Sequence, residues 1–234
     1  GIKSVAITYT NNDYGKGLAD VYEAAVKAHG ISVTTVAAHE DGKADYSAEI
    51  SVLAAAGGDA LAVIGYVDQG GKGIIQGSLD SGAFDTFILS DGMIGDSLID
   101  AFGKSLNKSF GSLPGSTGKG AGIFSKVASA AGIDSSGPYT GESYDAAALI
   151  VLAMQAGNSA DRSSIAKNVM AVANGPGKKI YPGQLKKALD LLAKGKDVNY
   201  EGATAVTFTD VGESVGSFLE KEIKGGKFKT KKQR

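Results

Sequence analysis

The chain has 234 residues, room for one large or two small domains, and its 24 basic and 25 acidic side chains nearly cancel. That balance gives no overall field toward nucleic acid or an anionic membrane, and the absence of cysteine excludes disulfides and thiolate catalysis. The 34 glycines and the absence of tryptophan predict many tight strand-to-helix turns around a light aliphatic core, and no apolar run reaches membrane-spanning length.

The first half alternates strand and helix. Residues 5–9 read as a strand, followed by Asn11, Asn12 and Asp13, whose side-chain oxygens suit the free amides of a helix's first turn. Leu18, Val21, Tyr22, Ala25 and Val26 recur at helical spacing, and Gly30 marks the stop. A β-branched strand is expected over 32–36, then a helix capped by Asp45 with Tyr46, Ile50 and Leu53 on one face, ended by Gly57 and Gly58. Residues 60–67 are almost unbroken apolar sequence, the pattern of a strand covered on both faces. A helix over about 70–81, a strand over 86–89 and a fourth helix marked by Leu98, Ala101 and Phe102 complete the series. This rhythm predicts an α/β fold: a Rossmann-like parallel sheet with right-handed crossovers and helices on both faces. Such sheets bind ligands outside the carboxyl ends of their strands. Tyr14, Tyr66 and Asp91 each follow a predicted strand, so they are expected to converge on one crevice.

The character then changes. Residues 111–122, rich in Gly and Ser, read as a linker or a crossing between lobes. Helices without a clear strand are expected over 121–171, with 144–154 apolar almost all round and therefore predicted as a buried helix. A loop with two prolines spans 175–183, and an amphipathic helix from Leu185 to Leu192 stops at Gly195. Strands return over 205–209 and 216–223. The basic stretch 221–234 reads as a solvated end, with a phosphate-binding tail as the alternative. The helices of 121–195 have apolar faces and few strands to cover. Either they pack on the first sheet, or they belong to a second lobe whose sheet lies outside this sequence.

Catalytic and nucleotide motifs fail on spacing. The run from Gly115 to Lys119 lacks the earlier glycine of a phosphate loop and has Gly120 where Ser or Thr belongs; Gly15/Gly17 and Gly71/Gly73 lack the third glycine of a dinucleotide fingerprint. His29 and His39 show no metal-ligand spacing and read as exposed surface side chains. No catalytic residue, metal site or cofactor is expected, and an enzyme is disfavoured.

Several motifs, in order along the whole chain, resemble one family. Residues 12–18, Asn-Asp-Tyr-Gly-Lys-Gly-Leu, resemble the turn after the first strand in the branched-chain amino acid (Leu/Ile/Val) binding proteins of ABC importers. Asp45-Tyr46-Ser47, Gly65-Tyr66, Ser90-Asp91-Gly92, Gly137-Pro138-Tyr139, Ser143-Tyr144-Asp145-Ala146, Asn199 to Ala203 and Val206 to Gly212 continue the resemblance. It implies a periplasmic binding protein of type I, in which two Rossmann-like lobes close on a small ligand. On that pattern 1–118 and 203–234 form the second lobe, and 119–202 is the return segment of a first lobe whose N-terminal part is absent. The resemblance further implies an exported, periplasmic protein that captures a small, aliphatic amino acid by hinge closure and delivers it to a membrane permease. Self-association or a retained upstream fragment would cover exposed apolar faces. By the same resemblance Tyr14 and Tyr66 contact the ligand, Asp91 pairs with its ammonium, Tyr139 lines the side-chain pocket and Glu142 is a second acidic contact. Asp145 reads as stabilising the start of its own helix. Two other functions compete: a sensory ligand-binding domain of the same fold, and a Rossmann-type enzyme on the first sheet.

Overall fold

The structure, a computed structural model, describes all 234 residues. The elements run β1 (Ser4–Thr10), α1 (Asp13–Ala28), β2 (Ser32–His39), α2 (Ser47–Ala56), β3 (Ala60–Ile64), α3 (Lys72–Ser81), β4 (Phe87–Leu89), α4 (Asp96–Phe102) and β5 (Phe110–Pro114). There follow α5 (Lys119–Ala130), α6 (Thr140–Gly157), α7 (Arg162–Asn174), β6 (Lys178–Ile180), α8 (Leu185–Leu192), β7 (Val198–Tyr200), β8 (Thr207–Phe208), β9 (Ser214–Val215), β10 (Phe218–Ile223) and β11 (Phe228–Gln233). Seven strands form one sheet in the order β11-β10-β5-β4-β3-β1-β2, and β1 to β5 pair parallel throughout. The chain divides into two compact units, Gly1–Leu113 with Glu220–Lys232, and Pro114–Leu219 with Gln233–Arg234. No helix is long and apolar enough to cross a membrane.

In the first unit, α1 covers one face of the sheet, packing Ala19 and Val26 with Tyr14, Leu18 and Tyr22 on Val5, Ile7, Ala62 and Ile64. All five residues of β3 are buried, as its unbroken apolar run predicts. α2 and α3 approach closely because α3 carries glycines where they meet. A Cβ at Gly73 would stand 2.5 Å from the Tyr46 ring, and one at Gly77 would overlap the Ile50 side chain. The expected strand over 60–67 stops earlier, at Ile64, and Val67–Gly71 forms a π-helical turn before α3.

Residues 111–122 are not a plain linker: 110–114 is strand β5, paired with β4. Its glycine is what hides it from sequence reading. Gly111 lies so close to Leu89 that a Cβ would meet the Leu89 Cβ at 2.9 Å, so a residue of poor strand propensity is required for the pairing. The basic stretch is exposed over 229–232, as a solvated end would be, but it is built into strands. β10 and β11 extend the sheet, with Phe218 and Arg234 exchanging backbone hydrogen bonds at 3.0 and 2.8 Å and Lys231 paired with Glu220 at 3.1 Å. Lysines on an outermost strand keep it from pairing with other chains.

The second unit has a core of its own. Ala148, Leu149, Leu152 and Ala153 of α6, Val172 and Ala173 of α7 and Ala188 of α8 pack with Ile180, Val198 and Tyr200. The last three come from the parallel pair β6–β7, one strand of which lies inside the predicted proline-bearing loop. The helices of 121–195 therefore do have strands to cover. Residues 144–154 are not buried all round, since Ile150 and Val151 are 48% and 38% exposed.

Asp145 does more than its expected part at a helix start. It is buried, and its Oδ1 accepts from the Tyr200 hydroxyl (2.9 Å) and Ala203 N (2.8 Å). Its Oδ2 accepts from Thr204 N (2.8 Å) and Thr204 Oγ1 (2.7 Å), so the carboxylate ties the 200–204 turn to α6. Gly202 has φ 58°, and a Cβ there would lie 2.5 Å from the Asp145 carboxyl carbon, which leaves glycine the residue that fits.

Candidate functional site

Three loops at the carboxyl ends of β1, β3 and β4 build the site in the first unit. After β1, the Asn12 side chain accepts from Gly15 N at 2.9 Å and starts α1, as the motif predicts. Gly15 lets the helix begin directly over the strand end, since a Cβ would stand 2.8 Å from Thr10 Cγ2. Tyr14 is thereby fixed in the first turn of α1, pointing across the strand ends. After β3, the Tyr66 carbonyl accepts from Gly71 N at 3.0 Å, closing the π-helical turn. After β4, a short 3-10 turn from Asp91 to Met93 follows Ser90. Gly92 is required there, because a Cβ would meet the Tyr66 ring at 3.1 Å and crowd the Gly65 carbonyl.

These loops bring Tyr14, Tyr66 and Asp91 together. The two tyrosine rings stack with centroids 5.3 Å apart and planes at 28°. The Tyr14 phenol donates to Asp91 Oδ1 at 2.6 Å, and Ser90 Oγ lies 3.1 Å from the same phenol oxygen. Gly65 N in turn donates to Ser90 Oγ at 3.3 Å. Burial, and then the bond to Asp91, push the Tyr14 phenol up to about 12, so it remains a donor at neutral pH. The result is a half-buried patch with two aromatic faces, a carboxylate and a hydroxyl. Such a patch attracts a cation by the ring faces and by charge-assisted hydrogen bonds. The helix containing Leu98 starts at Asp96 with Gly95 as its cap, so Asp91 is left to the site. Ser90 has no predicted ligand role, and its place beside Asp91 at a strand end is the signal for it in the sequence.

Tyr139 and Glu142 lie in the second unit. Tyr139 precedes α6 in the left-handed conformation, φ 60° and ψ 10°, unusual for a bulky side chain, and is 37% exposed. Glu142, in the first turn of α6, lines a cavity of about 250 Å³ with Pro114, Gly115, Thr204 and Phe218. Lys119, in the failed phosphate-loop run, opens α5 and lies over the Tyr181 ring, 4.5 Å from its centroid.

His39 departs from expectation. It is 1% exposed, at the end of β2, with Nδ1 2.9 Å from Thr8 Oγ1. Nothing in residue type distinguishes it; the glycines at 65 and 70, which leave room for its ring, are the trace in the sequence. No group of three or more His, Asp or Glu is placed to hold a metal ion.

No family model matches the chain. A chemotactic signal transduction system substrate-binding protein, BasB, from Halobacterium salinarum is 36% identical over 87 residues, covering 37% of this chain and 21% of that protein. A Leu/Ile/Val-binding protein homolog from Brucella melitensis is 36% identical over 69 residues, covering 30% of this chain and 19% of that protein. Among solved structures, the leucine binding protein LivK of Thermotoga maritima superposes with a TM-score of 0.76 at 20% identity, covering the whole of this chain and 61% of that one. The substrate binding protein LivJ of Streptococcus pneumoniae, in complex with isoleucine, superposes with a TM-score of 0.68 at 17% identity, covering the whole of this chain and 60% of that one. The fold is that of the type I periplasmic binding proteins. The resemblance to branched-chain amino acid binding proteins read from the motifs is borne out by these relatives. The chain spans about three-fifths of the solved proteins it superposes on, and its matches to the curated relatives reach about a fifth of their length.

Proposed function

We propose that the first unit carries one wall of an amino-acid binding site, and that the protein is a solute-binding component of an ABC importer rather than an enzyme. Asp91 takes the ligand ammonium, oriented by the Tyr14 phenol, which Ser90 Oγ also contacts. The stacked rings of Tyr14 and Tyr66 supply apolar surface and a further attraction for the cation. The observation that carries this reading is the convergence of Tyr14, Tyr66 and Asp91 at the carboxyl ends of three neighbouring strands. A small aliphatic amino acid, of the branched-chain class, is the proposed ligand. Tyr139 and Glu142 are proposed as further contacts; the strained backbone at Tyr139 supports that role for it. Residues 119–202 are proposed as part of another lobe of the receptor, hinge closure as the means of capture, the periplasm as the site of action and a membrane permease as the recipient.

Calorimetric titration with leucine, isoleucine, valine and a panel of other amino acids tests the reading. Binding of aliphatic zwitterions that Asp91→Asn weakens supports it. Binding unaffected by that substitution, or confined to ligands without an ammonium, overturns it. Contacts from both lobes favour the closed state, so loss of either set is expected to cost most of the affinity. The likeness to the Halobacterium chemotactic protein supports a second reading, in which the bound form is passed to a signalling partner instead of a permease. The two differ in which membrane protein captures the ligand-loaded form.

A further inference from the structure

His39 lies directly beneath the turn that carries Tyr66. A Cβ at Gly65 would stand 3.1 Å from His39 Nε2, and a Cβ at Gly70 would stand 3.1 Å from both His39 Cδ2 and the Tyr46 hydroxyl. Gly70 N and Gly71 N both donate to the Tyr66 carbonyl, at 3.4 and 3.0 Å, so the backbone that rests on the imidazole is the backbone that holds Tyr66. The Tyr46 hydroxyl ties the same turn down, lying 3.1 Å from the Gln69 carbonyl and 3.0 Å from the Glu40 carbonyl. His39 Nδ1 is paired with Thr8, while Nε2 and the nearby Thr10 Oγ1 are buried with no hydrogen-bond partner in the protein. An imidazolium has two N–H donors. Thr8 can accept one, and the other would sit at Nε2, which neither Thr10 Oγ1 nor the backbone of the turn hydrogen-bonds in this arrangement, which is costly for a buried charge.

We propose that His39 is a positioning residue for the Tyr66 turn, and that its protonation lifts the 65–71 turn and weakens ligand capture as the pH falls. The inference rests on the ligand site proposed above for its effect on capture, but its effect on the turn stands without any ligand. The groups that face His39 set the balance. Glu49 comes from α2, Tyr46 from the residue just before it, and Glu40, Asp41 and Lys43 from the preceding loop, with Lys43 paired to Glu49 Oε1 at 2.5 Å. Thr8 and Thr10 come from β1, and only backbone from the 65–70 turn. The carboxylates of Asp41, Glu49 and Glu40 favour the charged ring, but burial outweighs them and holds His39 below its ordinary range. Moving the turn outward is the direct way to let water reach Nε2–H.

The chain has only two histidines, so proton NMR of the intact chain between about pH 8 and about pH 5 resolves each ring, with His29→Gln assigning them. The expected result is a His39 midpoint below the ordinary value of about 6.5, with Tyr66 ring and Gly70 amide signals moving at that same midpoint. In His39→Gln the step at Tyr66 and Gly70 disappears; should that variant not fold, the wild-type series alone decides. Tyr66 and Gly70 signals that stay flat across the His39 midpoint, or a midpoint at or above the ordinary value, overturn the proposal. Leucine titration at both ends of the range then reads capture. Affinity is expected to fall on acidification by about tenfold for each pH unit by which ligand lowers the His39 midpoint. Unchanged affinity overturns the link to capture. Absence of leucine binding at both ends counts against the ligand assignment, while the Tyr66 response still decides the role of His39.

Discussion

Replacing Asp145 with Asn probes the tie between α6 and the turn that follows β7. The carboxylate accepts four hydrogen bonds, two at each oxygen, and two of the donors are the backbone amides of Ala203 and Thr204. An Asn side chain has a single acceptor oxygen. If that oxygen takes the place of Oδ1, the Thr204 amide faces an NH2 group; if it takes the place of Oδ2, the Ala203 amide does. The Tyr200 and Thr204 hydroxyls can rotate to accept from the NH2, but a backbone amide cannot. Either orientation therefore orphans one amide, at about 1–3 kcal/mol, and loses the charge-assisted strength of the remaining bonds. A total loss of about 2–4 kcal/mol is expected, a large part of a typical stability of about 5–15 kcal/mol. Urea unfolding of wild type and variant measures the loss, and hydrogen exchange locates it at Ala203 and Thr204. A variant within about 0.5 kcal/mol of wild type, or one whose 203 and 204 amides exchange no faster, refutes the account.

Other outcomes follow from the same structure. In Asp91→Asn the Tyr14 phenol loses its charged partner and is expected to ionise below its value of about 12 but still above the ordinary 10.0, because burial is the larger cause; alkaline ultraviolet titration reads this, and an unchanged value contradicts the bond. Gly77→Ala forces a Cβ into the Ile50 side chain and is expected to cost about 1–3 kcal/mol, with Ile50→Ala in the same chain making the two losses less than additive in a double-mutant cycle. His39, with its folded pKa depressed by burial, contributes stability that is fully present above its unfolded value of 6.5. That contribution is lost as the pH falls from there through the folded value. Denaturant midpoints across that window are expected to drop in wild type and to stay level in His39→Gln.

The parts legible in the sequence are those where residue pattern and packing agree. The βα rhythm of the first half, the Asn12 cap, the buried run of β3 and the strand-end positions of Tyr14, Tyr66 and Asp91 all follow from periodicity and turn chemistry. What escaped was structure that depends on contacts remote in sequence. β5 is disguised by Gly111, whose lack of a side chain answers to Leu89. β6 and β7 are three residues each and pair only with one another, too short for alternation to register. β11 is rich in lysine because it is an outermost strand, and charge alone read as solvation. The buried state of His39 is set by two glycines beyond its own element, and the four-bond role of Asp145 by a turn more than fifty residues away. The hydroxyl of Ser90 enters the site only once Tyr14 is seen to reach across from α1.

On the proposed reading, Tyr14, Tyr66, Ser90 and Asp91 form a surface that receives an amino-acid ammonium. Amide and tyrosine-ring NMR of the chain during titration with leucine tests it most directly, since it detects binding as weak as a Kd of about 1 mM, worth about −4 kcal/mol. Saturable shifts centred on residues 14, 66 and 90–92 are expected, absent when leucine is replaced by its deaminated 2-hydroxy analogue and lost in Asp91→Asn. Shifts centred elsewhere, or equal shifts with the analogue, would contradict it.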